Sequence, residues 1–245
     1  MEPIYAQNFT INDAAVDCYG RLRPSMMLFY IQEVAGRHCD LLALDYNSLA
    51  KRHLFWAVTR HRLQITRLPM SGETIRVETW PMPTTKVAYP RSVVAYDESG
   101  EEVFRAISLW VLMDLDTRAM VLPRASGIIV EGTLRGTELA LPGAVIPKTF
   151  GLRGTRTVCF TDLDRNGHMN NTRYLDWAYD LLPSSFHREH TLREMTVSYS
   201  AEAREGQVLT ENCATLEDGT VQVDLQREDA PGKPERVFSA RLRFD

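Results

Sequence analysis

The chain has 245 residues, 44% hydrophobic and 24% charged, with a net charge of −4, a globular composition long enough for one large domain or two smaller ones. The negative balance argues against a general nucleic-acid binder, which needs a broad basic surface, and no apolar run approaches the roughly 18 residues that span a bilayer. The N-terminal "MEPIYAQNFTIND" has neither signal nor transit-peptide character, and Cys18, Cys39, Cys159 and Cys213 are scattered without a CxxC, so the expectation is a soluble cytoplasmic protein with reduced thiols.

In chain order, Ser25 is the expected N-cap of a helix over "MMLFYIQEVAGRHCDLLALD". Its stripe is Leu28, Ile31, Ala35, His38, Leu41 and Leu42, with His38 buried and hydrogen-bonded. Alternating runs follow and predict strands: "HRLQITRL", "GETIRVETW", "RSVVAYD" and "VFRAISLWVLMD". A Gly- and Pro-rich connector comes next, with a linker placed at 126–153 between a first half at 1–125 and a second at 154–245. "RTVCFT" alternates like a strand. Then Asn171 or Thr172 is expected to cap a shorter helix with Tyr174, Trp177, Ala178, Leu181 and Leu182 on one face, Asp176 and Asp180 on the other, and Pro183 as its stop. "MTVSYSAE", "QVLTENCATL", "TVQVDLQR" and "VFSARLRF" complete a second set of strands.

The two halves repeat. "SGETI" at 71–75 recurs as "EGQVL" at 205–209 and "VFRA" at 103–106 as "VFSA" at 237–240, both at an offset of 134. "DCYGRLRPS" parallels "LDRNGHMNN" at an offset of 147, aligning Gly20 with Gly167 and Leu22 with Met169, so the first half carries a longer helix. Each half is a strand, a helix and several long antiparallel strands, an α+β layer arrangement.

The segment "TDLDRNGHMNNTRYLDW" at 161–177 concentrates the polar residues. A calcium loop would use Asp162, Asp164 and Asn166 as its first ligands, but its twelfth position needs a glutamate and holds Arg173. One histidine without a partner at ligand spacing is poor zinc evidence. Turn and cap chemistry accounts for Asp162 and Asn171, but poorly for Asp164, Asn166 and His168 at alternate positions before a helix.

"DLDRNGHMNNTRYLDW" resembles the active-site segment of the acyl-carrier-protein thioesterases of the plant FatA/FatB type and their bacterial relatives. Asp164, Asn166, His168, Asn170, Asn171 and Tyr174 fit that family's pattern, and Trp110, Val111, Met113, Thr117 and Arg118 fit a second stretch of it. The resemblance implies a tandem hotdog fold, two antiparallel sheets each wrapped around a helix. It also implies a catalytic glutamate at Glu202 in "EAREGQVL", although the family's cysteine is replaced by Ala203, which excludes a thiol nucleophile there.

The implied chemistry is hydrolysis of acyl-acyl carrier protein by water. Glu202 is the general base, Asp164 and His168 align it, and Asn166, His168 or N–H groups of the helix starting near Thr172 hold the developing oxyanion. This route calls for no cofactor and no metal. Asn170, Asn171 and Tyr174 are expected to bind substrate, and Met27, Leu28 and Ile31 in the first half to house the acyl chain. An acidic carrier protein would dock on basic residues, with Arg60, His61, Arg62, Arg67, Arg153, Arg156, Arg173 and Arg204 as candidates. An acyl-coenzyme A thioesterase with the same site and a non-catalytic acyl-thioester sensor remain alternatives, as do a monomer and a homodimer.

Overall fold

A computed structural model describes residues 3–136, 138–146, 151–230 and 233–245. Contacts divide the chain into Met1–Pro142 and Gly143–Asp245. Residues 137 and 147–150 of the expected 126–153 linker lie outside the described residues.

The first unit opens with strand β1 (Tyr5–Thr10) and helix α1 (Pro24–Leu41), followed by a short helix α2 (Tyr46–Ala50). Strands β2 (Leu54–Ile65), β3 (Thr74–Pro81), β4 (Tyr89–Tyr96) and β5 (Glu102–Asp114) come next, then β6 (Met120–Val121) and the single turn α3 (Pro123–Ser126). The strands hydrogen-bond antiparallel in the order β1-β3-β4-β5-β2, with β6 beside β5. Helix α1 lies against β3 and β1. Met27, Leu28, Ile31 and Val34 on its inner face have no exposed surface, and each such burial stabilises the unit by about 1.5–3 kcal/mol.

Two expectations for α1 need correction. The cap is Arg23, not Ser25, because Pro24 takes the first helical position; there its fixed φ suits the helix and its missing N–H leaves no orphan donor. The buried stripe ends at His38, since Leu41 sits in the last turn and is 61% exposed. His38 is buried as expected, with Nδ1 3.1 Å from the Arg91 guanidinium.

After α3 the chain runs over the face of the sheet away from α1. Thr133 N–H donates to the Pro81 carbonyl, and Arg135 reaches the Glu78 carboxylate at 2.6 Å. Glu138 accepts from Trp80 Nε1 at 3.2 Å and Ser92 Oγ at 2.6 Å. Gly132 has φ +67°, and a Cβ there would lie 2.1 Å from the Met82 carbonyl carbon, so only glycine allows this approach.

The second unit repeats the plan with β7 (Leu152–Thr157), helix α4 (Asn171–Asp180), helix α5 (Ser184–Glu189), β8 (Leu192–Tyr199), β9 (Val208–Thr215), β10 (Val221–Ala230) and β11 (Lys233–Phe244). The order is β7-β9-β10-β11-β8, all antiparallel. This matches the first unit strand for strand. In each unit a set of antiparallel strands carries a helix, which is the hotdog arrangement. Helix α4 packs on β11 and buries Tyr174, Leu175, Trp177 and Ala178. Leu181 and Leu182 fall beyond its end at Asp180, so the stripe is shorter than expected.

The repeat reaches individual backbone hydrogen bonds. Asp17 N–H donates to Arg21 O at 2.8 Å, and Asp164 N–H to His168 O at 2.7 Å. Gly20 N–H donates to Asp17 O and Gly167 N–H to Asp164 O, both at 3.0 Å. Leu22 N–H donates to Pro69 O at 2.7 Å, as Met169 N–H does to Ala203 O at 2.8 Å. Gly20 and Gly167 share the left-handed region, at φ +77° and +76°. No helix among the described residues is long and apolar enough to cross a membrane.

Candidate active site

The turn at 164–168 is built by Asp164. Its Oδ1 accepts the N–H of Asn166 at 2.7 Å and of His168 at 3.3 Å, while its Oδ2 lies 3.4 Å from Asn166 Nδ2. A short aspartate at the head of such a turn satisfies donors that the tight backbone cannot pair. Asp164 therefore orients the loop, and Asn166 stands exposed at its tip.

His168 Nε2 lies 3.1 Å from Glu202 Oε2, with the imidazole 14% and the carboxylate 44% exposed. The strand expected to run through Glu202 ends at Tyr199. The carboxylate thus sits past the strand's end, on the loop that follows it.

Helix α4 is capped by Asn170, not by Asn171 or Thr172. Asn170 Oδ1 accepts Thr172 N–H at 3.0 Å and Thr172 Oγ1 at 2.9 Å. Arg173 N–H donates to Asn170 O at 2.9 Å. The N–H groups of Thr172 and Arg173, expected to be open to an oxyanion, are therefore occupied. The Asn171 carbonyl accepts the Tyr199 hydroxyl at 3.0 Å.

Tyr174 is 2% exposed, stacked on Phe238 at 5.4 Å and set at an angle to Tyr199 at 6.0 Å. Its hydroxyl accepts the Ala203 N–H at 3.2 Å. Burial pushes this phenol above its ordinary range, and the Ala203 N–H pulls partly back. Arg227 on β10 donates to the Glu202 carbonyl and pairs with Glu235 across the β10–β11 ladder. Sequence reasoning missed Arg227 and Tyr199 altogether. Arg227 closes an alternating run, and no spacing rule links it to a loop 25 residues upstream.

Met27, Leu28 and Ile31 lie in the closed core of the first unit. The expected basic residues fare unevenly. His61 is fully buried with Nδ1 2.8 Å from Ser108 Oγ, so it cannot serve a docking surface. Arg67 is held by Glu73 and Asp97, Arg156 by Asp180 and Arg173 by Asp176, whereas the Arg204 side chain is exposed.

The model of the acyl-ACP thioesterase N-terminal domain matches residues 2–123, and that of the C-terminal domain matches residues 152–235. The chain belongs to the acyl-ACP thioesterase family. A palmitoyl-acyl carrier protein thioesterase of Gossypium hirsutum is 27% identical over 235 residues, covering 89% of this chain and 56% of that protein. The oleoyl-acyl carrier protein thioesterase 1 of Arabidopsis thaliana is 26% identical over 230 residues, covering 84% and 62%. Both relatives are chloroplastic, and the chain spans little more than half the length of the first. Among solved structures, an acyl-ACP thioesterase from Bacteroides thetaiotaomicron aligns with a TM-score of 0.90 at 22% identity, covering 99% of this chain and 98% of that one. The 12:0-ACP thioesterase from Umbellularia californica aligns with a TM-score of 0.83 at 22% identity over 100% and 98%. These likenesses carry the tandem hotdog fold over the whole chain.

Proposed function

We propose that this member of the acyl-ACP thioesterase family hydrolyses the thioester of an acyl-acyl carrier protein, releasing a fatty acid. The observation that carries the reading is the 3.1 Å contact between His168 Nε2 and Glu202 Oε2, present in the second unit and replaced in the first by Arg21 and Leu68.

Glu202 takes a proton from water as the water oxygen attacks the thioester carbonyl carbon. His168 fixes the carboxylate's direction, and Asp164 fixes His168 through the turn. In this reading the Asn166 amide donates to the carbonyl oxygen as it becomes an oxyanion, an interaction worth about 10²–10³ in rate. Collapse breaks the C–S bond, the sulfur takes the proton from Glu202, and the carboxylic acid leaves. Asn170 and Asn171 frame the start of the helix that follows this turn. The four free cysteines suit a reducing cytoplasm.

The test compares one acyl group on carrier protein and on coenzyme A. Turnover favouring the carrier protein, with Glu202→Gln and His168→Ala each lowering kcat about 10²–10⁴-fold, is expected. Preference for coenzyme A would move the assignment to an acyl-coenzyme A thioesterase. Unchanged turnover in both variants would remove Glu202 and His168 from the chemistry.

A further inference from the structure

Glu202 is a half-exposed carboxylate on a loop, yet it must hold its aim at His168 to within about half an ångström to act as a base. The loop peptide that carries it is fixed from three sides. Its carbonyl, on Glu202, accepts from the Arg227 guanidinium on β10. Its N–H, on Ala203, donates to the Tyr174 hydroxyl of α4 at 3.2 Å. The next carbonyl, on Ala203, accepts Met169 N–H at 2.8 Å. The two side chains are themselves held: Arg227 pairs with Glu235, and Tyr174 is stacked on Phe238.

The first unit supplies a control. Its version of the Met169 bond survives as Leu22 N–H to Pro69 O. The other two contacts are gone together. At offset 134 Ala203 corresponds to Pro69, which has no N–H, and at offset 147 Tyr174 corresponds to Met27, which has no hydroxyl. By strand register, Tyr96 pairs with Arg76 as Gln226 pairs with Thr210, so Asp97 stands where Arg227 does. Asp97 is an acceptor that binds Arg67 and cannot hold a carbonyl. The fold therefore does not need this pair of contacts, and of the two copies the one with a carboxylate at this place carries them.

We propose that Tyr174 and Arg227 are positioning residues that clamp the Glu202–Ala203 peptide and set the direction of the Glu202 carboxylate toward His168. The inference rests on the hydrolytic reading of the site, but one arm of its test does not. Tyr174→Phe keeps the stacked ring, and Arg227→Met keeps the stem of the side chain. Each is expected to lower kcat at least tenfold with KM within about threefold, and Arg227→Lys to recover part of the loss. In nuclear magnetic resonance titrations without substrate, both variants are expected to move the His168 imidazole midpoint in the same direction as Glu202→Gln. A natural protein that hydrolyses no acyl thioester would overturn the activity reading, while the imidazole titration would still decide the clamp. Wild-type kcat together with a wild-type His168 titration in Tyr174→Phe and Arg227→Met would overturn the clamp.

Discussion

Ala203 stands where the family pattern carries a cysteine, with its methyl buried and its backbone bonded at both ends. Of the four thiols, Cys18 and Cys159 are exposed and Cys213 is buried. Burial pushes the thiols of Cys39 and Cys213 up, away from thiolate character. A water-based route needs none of them. Cys18→Ser and Cys159→Ser are therefore expected to leave kcat within twofold, and the double variant to keep its activity after treatment with an alkylating reagent. A loss beyond tenfold in either single variant would bring a thiol back into the reaction.

Helix α4 has only ten residues, too few to be stable without packing and a cap. Asn170 provides that cap, so Asn170→Ala is expected to cost about 1 kcal/mol in urea unfolding, with Asn170→Asp recovering most of it. Equal stability of the alanine variant would show that Thr172 is satisfied otherwise. At this scale much was legible beforehand. Alternation marked β3, β4, β5, β9, β10 and β11, because successive side chains of a strand face opposite sides of its sheet. The offsets of 134 and 147 exposed the duplication, because its turns depend on glycines at fixed places. The ends were less legible. Pro24 displaced Ser25 as the start of α1, and Asn170 preceded the expected cap of α4, because several neighbouring residues can satisfy the same donors. The clamp on Glu202 was not legible at all, since Arg227 and Tyr174 reach it through tertiary contacts.

Across the whole molecule, two buried groups give stability opposite dependences on pH. Burial pushes His61 down to about 3, below the 6.5 of an exposed imidazole. The folded chain therefore keeps it neutral, and this contribution is present above pH 6.5 and lost as pH falls from there toward 3. The slope is about 1.4 kcal/mol per pH unit. Burial raises Glu211 above its usual 4.5, so its contribution is present below that value and lost as pH rises through the folded value. Urea unfolding of the wild type is expected to weaken as pH drops below 6.5, and His61→Gln to flatten that decline. Glu211→Gln is expected to stabilise the protein at pH 7 with a gain that vanishes below about pH 4.5. Curves parallel to wild type would show that neither group is responsible.

The backbone turn that presents His168 is also present in the first unit, where Arg21 folds back onto Asp17 at 2.9 Å. The main-chain framework is thus indifferent to the side chains mounted on it. One copy holds the same socket with different side chains in it, and a lineage carrying such a duplicate could refit one while the other kept working.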